Sequence, residues 1–270
     1  WYGHEPIGPP DFTIDTLGNL YIPDIVNRKL KKFDGCSNLE ISFQIKEKWI
    51  ENVGIDRLGN IYTGVNTRHS YTLERYNSTG NLTASGTVVN LVNPGWFVLT
   101  SDAENNIYLS SGRYLIKFNT NMNIDTLIRR NHLKEPIVYV AGGKLVEMNF
   151  YKEMNQLEIK KLQNLKRIPK GNEAFVNTES FTVNLIEGEG TIRIIGEDKD
   201  GNVYTSYTKY IKGTRQPFKF TDGVIRLDRD GNETGRIEIP DWQVAHAVNY
   251  PYKVDRNGNV YLMESDKEKF

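Results

Sequence analysis

The stretch Phe12–Asp24, FTIDTLGNLYIPD, decides the fold. A short β-branched run, FTID, leads into a turn of the form Asp-x-x-Gly-Asn, and an alternating run, NLYIPD, leaves it. Aspartate accepts hydrogen bonds from nearby backbone N–H groups, and Gly or Asn tolerates the positive φ of a tight hairpin. The stretch therefore reads as two antiparallel strands joined at a corner. The phrase returns as VGIDRLGNIYTGV, VLTSDAENNIYLS, IIGEDKDGNVYTS and YKVDRNGNVYLME. With the corner asparagine as a ruler, Asn19, Asn60, Asn106, Asn202 and Asn259 mark five copies. A degenerate copy lies in VYVAGGKLVEMNF, with Gly142-Gly143 as its turn and Lys144 at the ruler position. Successive spacings are 41, 46, 38, 58 and 57 residues. Self-similarity at such spacings marks repeated supersecondary units.

A second pattern follows the first. KLKKFDGCSNLEISF, TLERYNSTGNLTASG, YLIKFNTNMNIDTLI and VIRLDRDGNETGRIEI each hold a strand ending in Phe, Tyr or Leu, then Asp or Asn, a polar turn and another strand. That makes four antiparallel strands per repeat, at a spacing of roughly ten residues. The expectation is an all-β, six-bladed β-propeller with four antiparallel strands per blade, the last blade incomplete in this segment. The blades run approximately 8–47, 50–90, 95–130, 135–187, 191–240 and 248–270, within a single domain 1–270. Two stacked β-sandwiches are the rival, but sandwiches do not need one hairpin phrase six times over.

Some segments read less simply. YKEMNQLEIKKLQNLKRI is expected to supply strands, although Met154, Leu157, Leu165 and Ile168 also have helical spacing. YTKYIKGTRQPFKFTDG reads as an insertion lengthening the link between the second and third strands of blade five, and GNEAFVNTESFTVNLIEGEG as a long outer connection before it. The opening WYGHEPIGPP, with its three prolines, makes a poor strand, so missing strands beyond Phe270 are expected to complete the last blade.

Composition narrows the function classes. Lys plus Arg and Asp plus Glu number 34 each, so no general field draws the chain to nucleic acid or anionic lipid. No apolar run approaches the roughly 18 residues of a membrane-spanning helix. The one cysteine, Cys36, excludes an internal disulfide and a cysteine-based zinc cluster. The start at Trp1 without an initiator Met reads as a processed or trimmed segment.

The first unit, IDTLGNLYIPDIVNRKLKKFD, resembles the NHL repeat at Asp15, Gly18, Asn19, Tyr21, Asp24, Asn27, Arg28, Leu30 and Phe33. Later units keep the first half, as at Asp56, Gly59, Asn60 and Tyr62, and lose the Asn-x-Arg half. The resemblance implies a six-bladed propeller. Its members include binding scaffolds, secreted or lipid-anchored bacterial proteins, and metal-dependent lyases and hydrolases.

Candidate residues follow from where loops gather in such a wheel. Loops leading into each innermost strand converge on one mouth of the central channel. His4, Trp49, Trp96, His246 and Tyr250 lie in such loops, Arg68 and His69 lie in a second-to-third-strand loop on the same face, and Arg193 flanks the fifth inner strand with Glu197. Aromatic rings there stack on sugars or peptide side chains. His4, His132 and His246 are the candidates for a divalent metal, the one cofactor weighed. DKDGN, DRDGN and DRNGN place Gly fourth, where a hairpin wants it, rather than sixth as a calcium loop requires. Nucleophile elbow, Walker loop and His-Glu-x-x-His motifs are absent. The expectation is a monomeric, non-catalytic binding or scaffold propeller for a protein, peptide or glycan, exported to the bacterial cell envelope. The alternative is a metal-dependent lyase or hydrolase with a histidine-lined site at the same mouth.

Overall fold

The computed structural model describes residues 9–35, 37–46, 50–67, 69–92, 97–101, 105–111, 114–129, 137–141, 144–151, 156–166, 174–184, 189–210, 220–242 and 252–263. Among them, five four-stranded antiparallel meanders precede a two-stranded ribbon. The first sheet is β1 (Thr13–Ile14), β2 (Leu20–Asp24), β3 (Lys29–Phe33) and β4 (Leu39–Gln44). The second is β5 (Asn52–Ile55), β6 (Ile61–Asn66), β7 (Ser70–Tyr76) and β8 (Leu82–Val89). The third is β9 (Val98–Ser101), β10 (Ile107–Ser110), β11 (Tyr114–Phe118) and β12 (Ile124–Arg129). The fourth is β13 (Ile137–Ala141), β14 (Lys144–Tyr151), β15 (Gln156–Lys166) and β16 (Ala174–Asn184). The fifth is β17 (Glu189–Glu197), β18 (Val203–Tyr210), β19 (Phe220–Leu227) and β20 (Glu233–Trp242), and the ribbon is β21 (Tyr252–Val254) and β22 (Val260–Leu262).

The first strands meet in sequence order: β1 with β5, β5 with β9, β9 with β13, β13 with β17 and β17 with β21. β21 then returns to β1. That closed circuit of inner strands is a β-propeller. In each meander the first-to-second and third-to-fourth turns share one rim, the corner face. The second-to-third turns and the loops leading into the next inner strand share the other, the lead-in face.

The core lies between sheets rather than inside one. Ile61 joins Val53 and Tyr76 in a cluster shared with Tyr21, Ile25 and Leu30 of the first sheet. Its neighbour Tyr62 joins Phe97, Leu99, Ile107 and Leu109 of the third. Consecutive strand residues point to opposite faces, so each inner strand pair is apolar on both. Each such side chain fully buried contributes about 1.5–3 kcal/mol. Close packing of inner strands also demands small residues. A Cβ on Gly54 would run into Leu99 Cδ2 of β9, and one on Gly196 would lie 2.9 Å from Val254 Cβ of β21. Both glycines stand two residues before a corner aspartate.

Three local expectations are revised. The segment around 174–184 is not a connection but β16, paired with β15 from Gln156↔Asn184 to Lys166↔Ala174. Its polar run Asn177-Thr178-Glu179-Ser180 and two register shifts hide the alternation, as an outermost strand needs only one apolar face. The insertion of the fifth sheet is partly strand, since β18 and β19 stay paired out to Tyr210↔Phe220. Arg193 does not flank its strand but sits within β17, opposite Ser206. The segment with helical spacing is strand where it is described, as expected: Tyr151 ends β14, and Gln156–Lys166 is β15.

Candidate functional site

The corner face is built from one repeated device. The Asp56 carboxylate accepts bonds from Leu58 N and Asn60 N, both at 2.9 Å, from Asn60 Nδ2 at 2.8 Å and from Tyr62 Oη at 3.0 Å. Asp15, Asp198 and Asp255 repeat the arrangement with Asn19 and Tyr21, Asn202 and Tyr204, and Asn259 and Tyr261. Gly59 N closes the turn on Asp56 O at 3.1 Å, with Gly59 at φ +79°. In the third sheet Asn105 takes that place at φ +62°, as the replacement of Gly by Asn in DAENN requires. Burial raises the pKa of Asp198, but bonds from Asn202, Tyr204 and the Asp200 N–H outweigh it, and the carboxyl ends below the usual range. Burial, then the neighbouring Asp56 charge, pushes the Tyr62 phenol up and keeps it a donor.

This accounts for the aspartates that superficially suggest calcium loops. Asp198, Asp228 and Asp255 turn their oxygens to their own backbone and to the next asparagine. Among the described residues, no group of three His, Cys, Asp or Glu side chains is arranged to hold a metal.

On the lead-in face the polar groups are not repeated. Asp11, 2% exposed, precedes β1. Its Oδ2 accepts from Val53 N of β5 at 3.1 Å, and its Oδ1 pairs with Lys253 Nζ of β21 at 2.9 Å. One carboxylate thus ties three inner strands together across the closure of the wheel. Burial raises its pKa, and prevails over the lowering by Lys253 and the N–H groups of Val53 and Phe12. Asn52, also buried, donates to Phe97 O at 2.8 Å and accepts from Tyr71 Oη at 2.9 Å, joining the loop into β5 to the loop into β9. Glu51, beside it, donates its backbone N–H to Gly64 O at 2.8 Å. Burial pushes the Glu51 carboxyl up to about 7, against a hydrogen bond from the Asn66 side chain that lowers it. Its Oε2 is sealed from solvent and meets no hydrogen-bond partner among the described residues.

Of the residues nominated from sequence, His69 lies on this face, exposed, in the turn between β6 and β7. Its carbonyl accepts from Leu91 N at 3.1 Å, which joins that turn to the loop leading into β9. Arg193 is placed by its backbone in β17. His4, Trp49, Arg68, Trp96, His132, His246 and Tyr250 lie outside the described residues, as does Cys36. Asp11, Glu51 and Asn66 were missed by the sequence reading. A faint signal existed: Asp11 and Asn52 are polar four positions before a corner aspartate, where the third and fifth units carry Val98 and Ile194.

No family model matches the chain, and no curated protein matches it. Solved structures do. A protein of unknown function from Bacteroides caccae aligns with TM-score 0.52 and 10% identity, over 88% of this chain and 83% of that one. Hsv2 of Kluyveromyces lactis aligns with TM-score 0.53 and 13% identity, over 97% and 75%. The WD40 β-propeller domain of Doa1 aligns with TM-score 0.51 and 10% identity, over 96% and 79%. At such identities the likeness concerns the fold: an all-β propeller. Among the described residues no helix is long and apolar enough to cross a membrane.

Proposed function

We propose that this chain is a non-catalytic binding or scaffold propeller that engages a protein, peptide or glycan partner at its lead-in face. The observation that carries the reading is the closed circuit of inner strands, with Asp11 and Lys253 tied at 2.9 Å where β1 meets β21. That closure gathers loops far apart in sequence around one mouth, as ligand sites on propellers require. The contrast between faces supports it: corner carboxylates are consumed by their turns, whereas lead-in polar groups differ from blade to blade. In the finer reading the wheel has six blades of NHL type, and the ribbon β21–β22 is the inner half of the sixth. A location in the bacterial cell envelope, secreted or lipid-anchored, draws on the NHL resemblance. The ligand-contacting set is His4, Trp49, Arg68, His69, Trp96, Arg193, His246 and Tyr250.

A glycan array and a pull-down from envelope extract, run with wild type and with Trp49→Ala, Trp96→Ala and Tyr250→Ala, test this reading. The expected result is a saturable ligand whose binding the alanine variants lose while their circular dichroism stays unchanged. Native mass spectrometry of the same protein supplies the opposing outcome. A stoichiometric divalent metal, lost in His4→Ala, His132→Ala or His246→Ala, overturns it in favour of a metal-dependent lyase or hydrolase.

A further inference from the structure

We propose that β8, the outer strand of the second sheet, pairs edge to edge with β8 of a second copy of this chain, giving a two-fold dimer in place of the monomer expected from sequence. An outermost strand turns alternate N–H and C=O groups away from its sheet, and such an edge recruits another strand unless something blunts it. The other described outer strands are blunted by their own sequences. β4 carries Glu40, β12 carries Asp125 and Arg129, and β16 carries Glu179 with two register shifts. β20 carries Glu233, Arg236, Glu238 and Pro240. β8, LTASGTVV, has neither a charge nor a proline. It lies within a longer neutral run: no Asp, Glu, Lys or Arg occurs from Tyr76 to Ser101, in a chain where 25% of residues are charged.

The edge is regular and its outward row is open. The pairing with β7 runs from Ser70↔Val89 to Arg75↔Ala84 without a register shift, and the one shift comes after it, at the corner end. Ala84 and Val88 pack into the cluster shared with the third sheet, and a Cβ on Gly86 would run into Met122 O. Thr83, Ser85, Thr87 and Val89 alternate with them and are exposed, Val89 by 58%. Neighbouring charges are directed elsewhere. Arg75 donates from Nε to Thr83 Oγ1 at 3.0 Å and from Nη1 to Thr120 O, in the turn after β11. Glu74, opposite Ser85, is fully buried, with its Oε1 3.8 Å from Lys46 Nζ.

The occupant follows from this chemistry. A charged strand laid on β8 would lose water and meet no counter-charge. A neutral strand with small and β-branched side chains suits the row Thr83, Ser85, Thr87 and Val89. β8 is itself such a strand. Antiparallel pairing about a two-fold axis at Gly86 sets Ser85 against the partner's Thr87 and Thr83 against the partner's Val89. The chain has zero formal net charge, so no general repulsion keeps two copies apart. The inference rests on β8 and not on the lead-in face, and its failure would leave the binding reading untouched.

The test is sedimentation velocity of wild type over a dilution series, with amide hydrogen exchange at both ends of the series. The expected mass doubles from one chain to two as concentration rises, and the amides of residues 82–89 exchange more slowly in the concentrated sample. Ser85→Lys and Val89→Lys should stay at the mass of one chain with unchanged circular dichroism, because like charges meet across the two-fold. Leu39→Lys, on β4, should dimerise as wild type does. A wild type that keeps the mass of one chain at every concentration overturns the proposal. So does a dimer whose β8 amides are no better protected, or one that both β8 lysine variants still form. The wild-type measurements decide the matter even if a variant does not fold.

Discussion

The two rims of the wheel use acids in opposite ways. On the corner face Asp56 sits under four donors, and Asp15, Asp198 and Asp255 repeat it almost atom for atom. On the lead-in face Asp11 is tied to one lysine and to the N–H groups of Val53 and Phe12, and Glu51 keeps an oxygen that no donor among the described residues reaches. Repetition is what a fold needs, because every blade must turn the same way. Departure from repetition is what a recognition surface needs, because a ligand reads differences. The corner face therefore repeats one shape-holding device, whereas the lead-in face varies its polar groups from blade to blade and includes the tie that closes the ring.

The strongest way to break the comparison is Lys253→Met. It strands the Asp11 carboxylate, 2% exposed, without its cation. Removing one partner of a buried pair costs about 3–5 kcal/mol, so urea unfolding should shift by that order. Asp11→Asn in the same background should recover part of the loss. Next in size, Gly54→Ala forces a Cβ against Leu99 and should destabilise by about 1–3 kcal/mol, with the same measurement.

The faces should also part company with pH. Asp198 has a folded pKa below its ordinary value, so its contribution is present above that value and lost as acid is added. Asp198→Asn should flatten the acid limb of a Tm-against-pH curve, whereas Glu51→Gln flattens its alkaline side. The smallest expected effect belongs to His69→Ala. The side chain is exposed, so stability should move by less than about 0.5 kcal/mol, while affinity for the ligand proposed for the lead-in face should fall.

What could be read without coordinates tracks the same division. The corners were readable because their function is local: Asp, Gly and Asn within five residues determine the turn, even where Asn105 stands for glycine. β16 was misread because an outer strand carries a weaker alternation and its pairing with β15 is interrupted by bulges. Asp11 and Lys253 could not be paired by inspection, since only closure brings opposite ends of the repeat series together. Glu51 looked like any charged loop residue. What distinguishes it is burial supplied by other segments, and burial is a property of the assembled wheel.

The bond between Asp11 and Lys253 has a kinetic consequence. Every sheet is a meander of successive hairpins, so its contacts are short-range and cheap in chain entropy. Among the described strand contacts, joining β21 to β1 spans the greatest separation along the chain, and it belongs late on the route to the native state. Interactions absent from the transition state govern the rate of escape from the native basin rather than the rate of arrival. Lys253→Met should therefore steepen loss of structure after a denaturant jump while leaving refolding velocity nearly unchanged. That ion pair acts as a timer on how long the wheel stays shut.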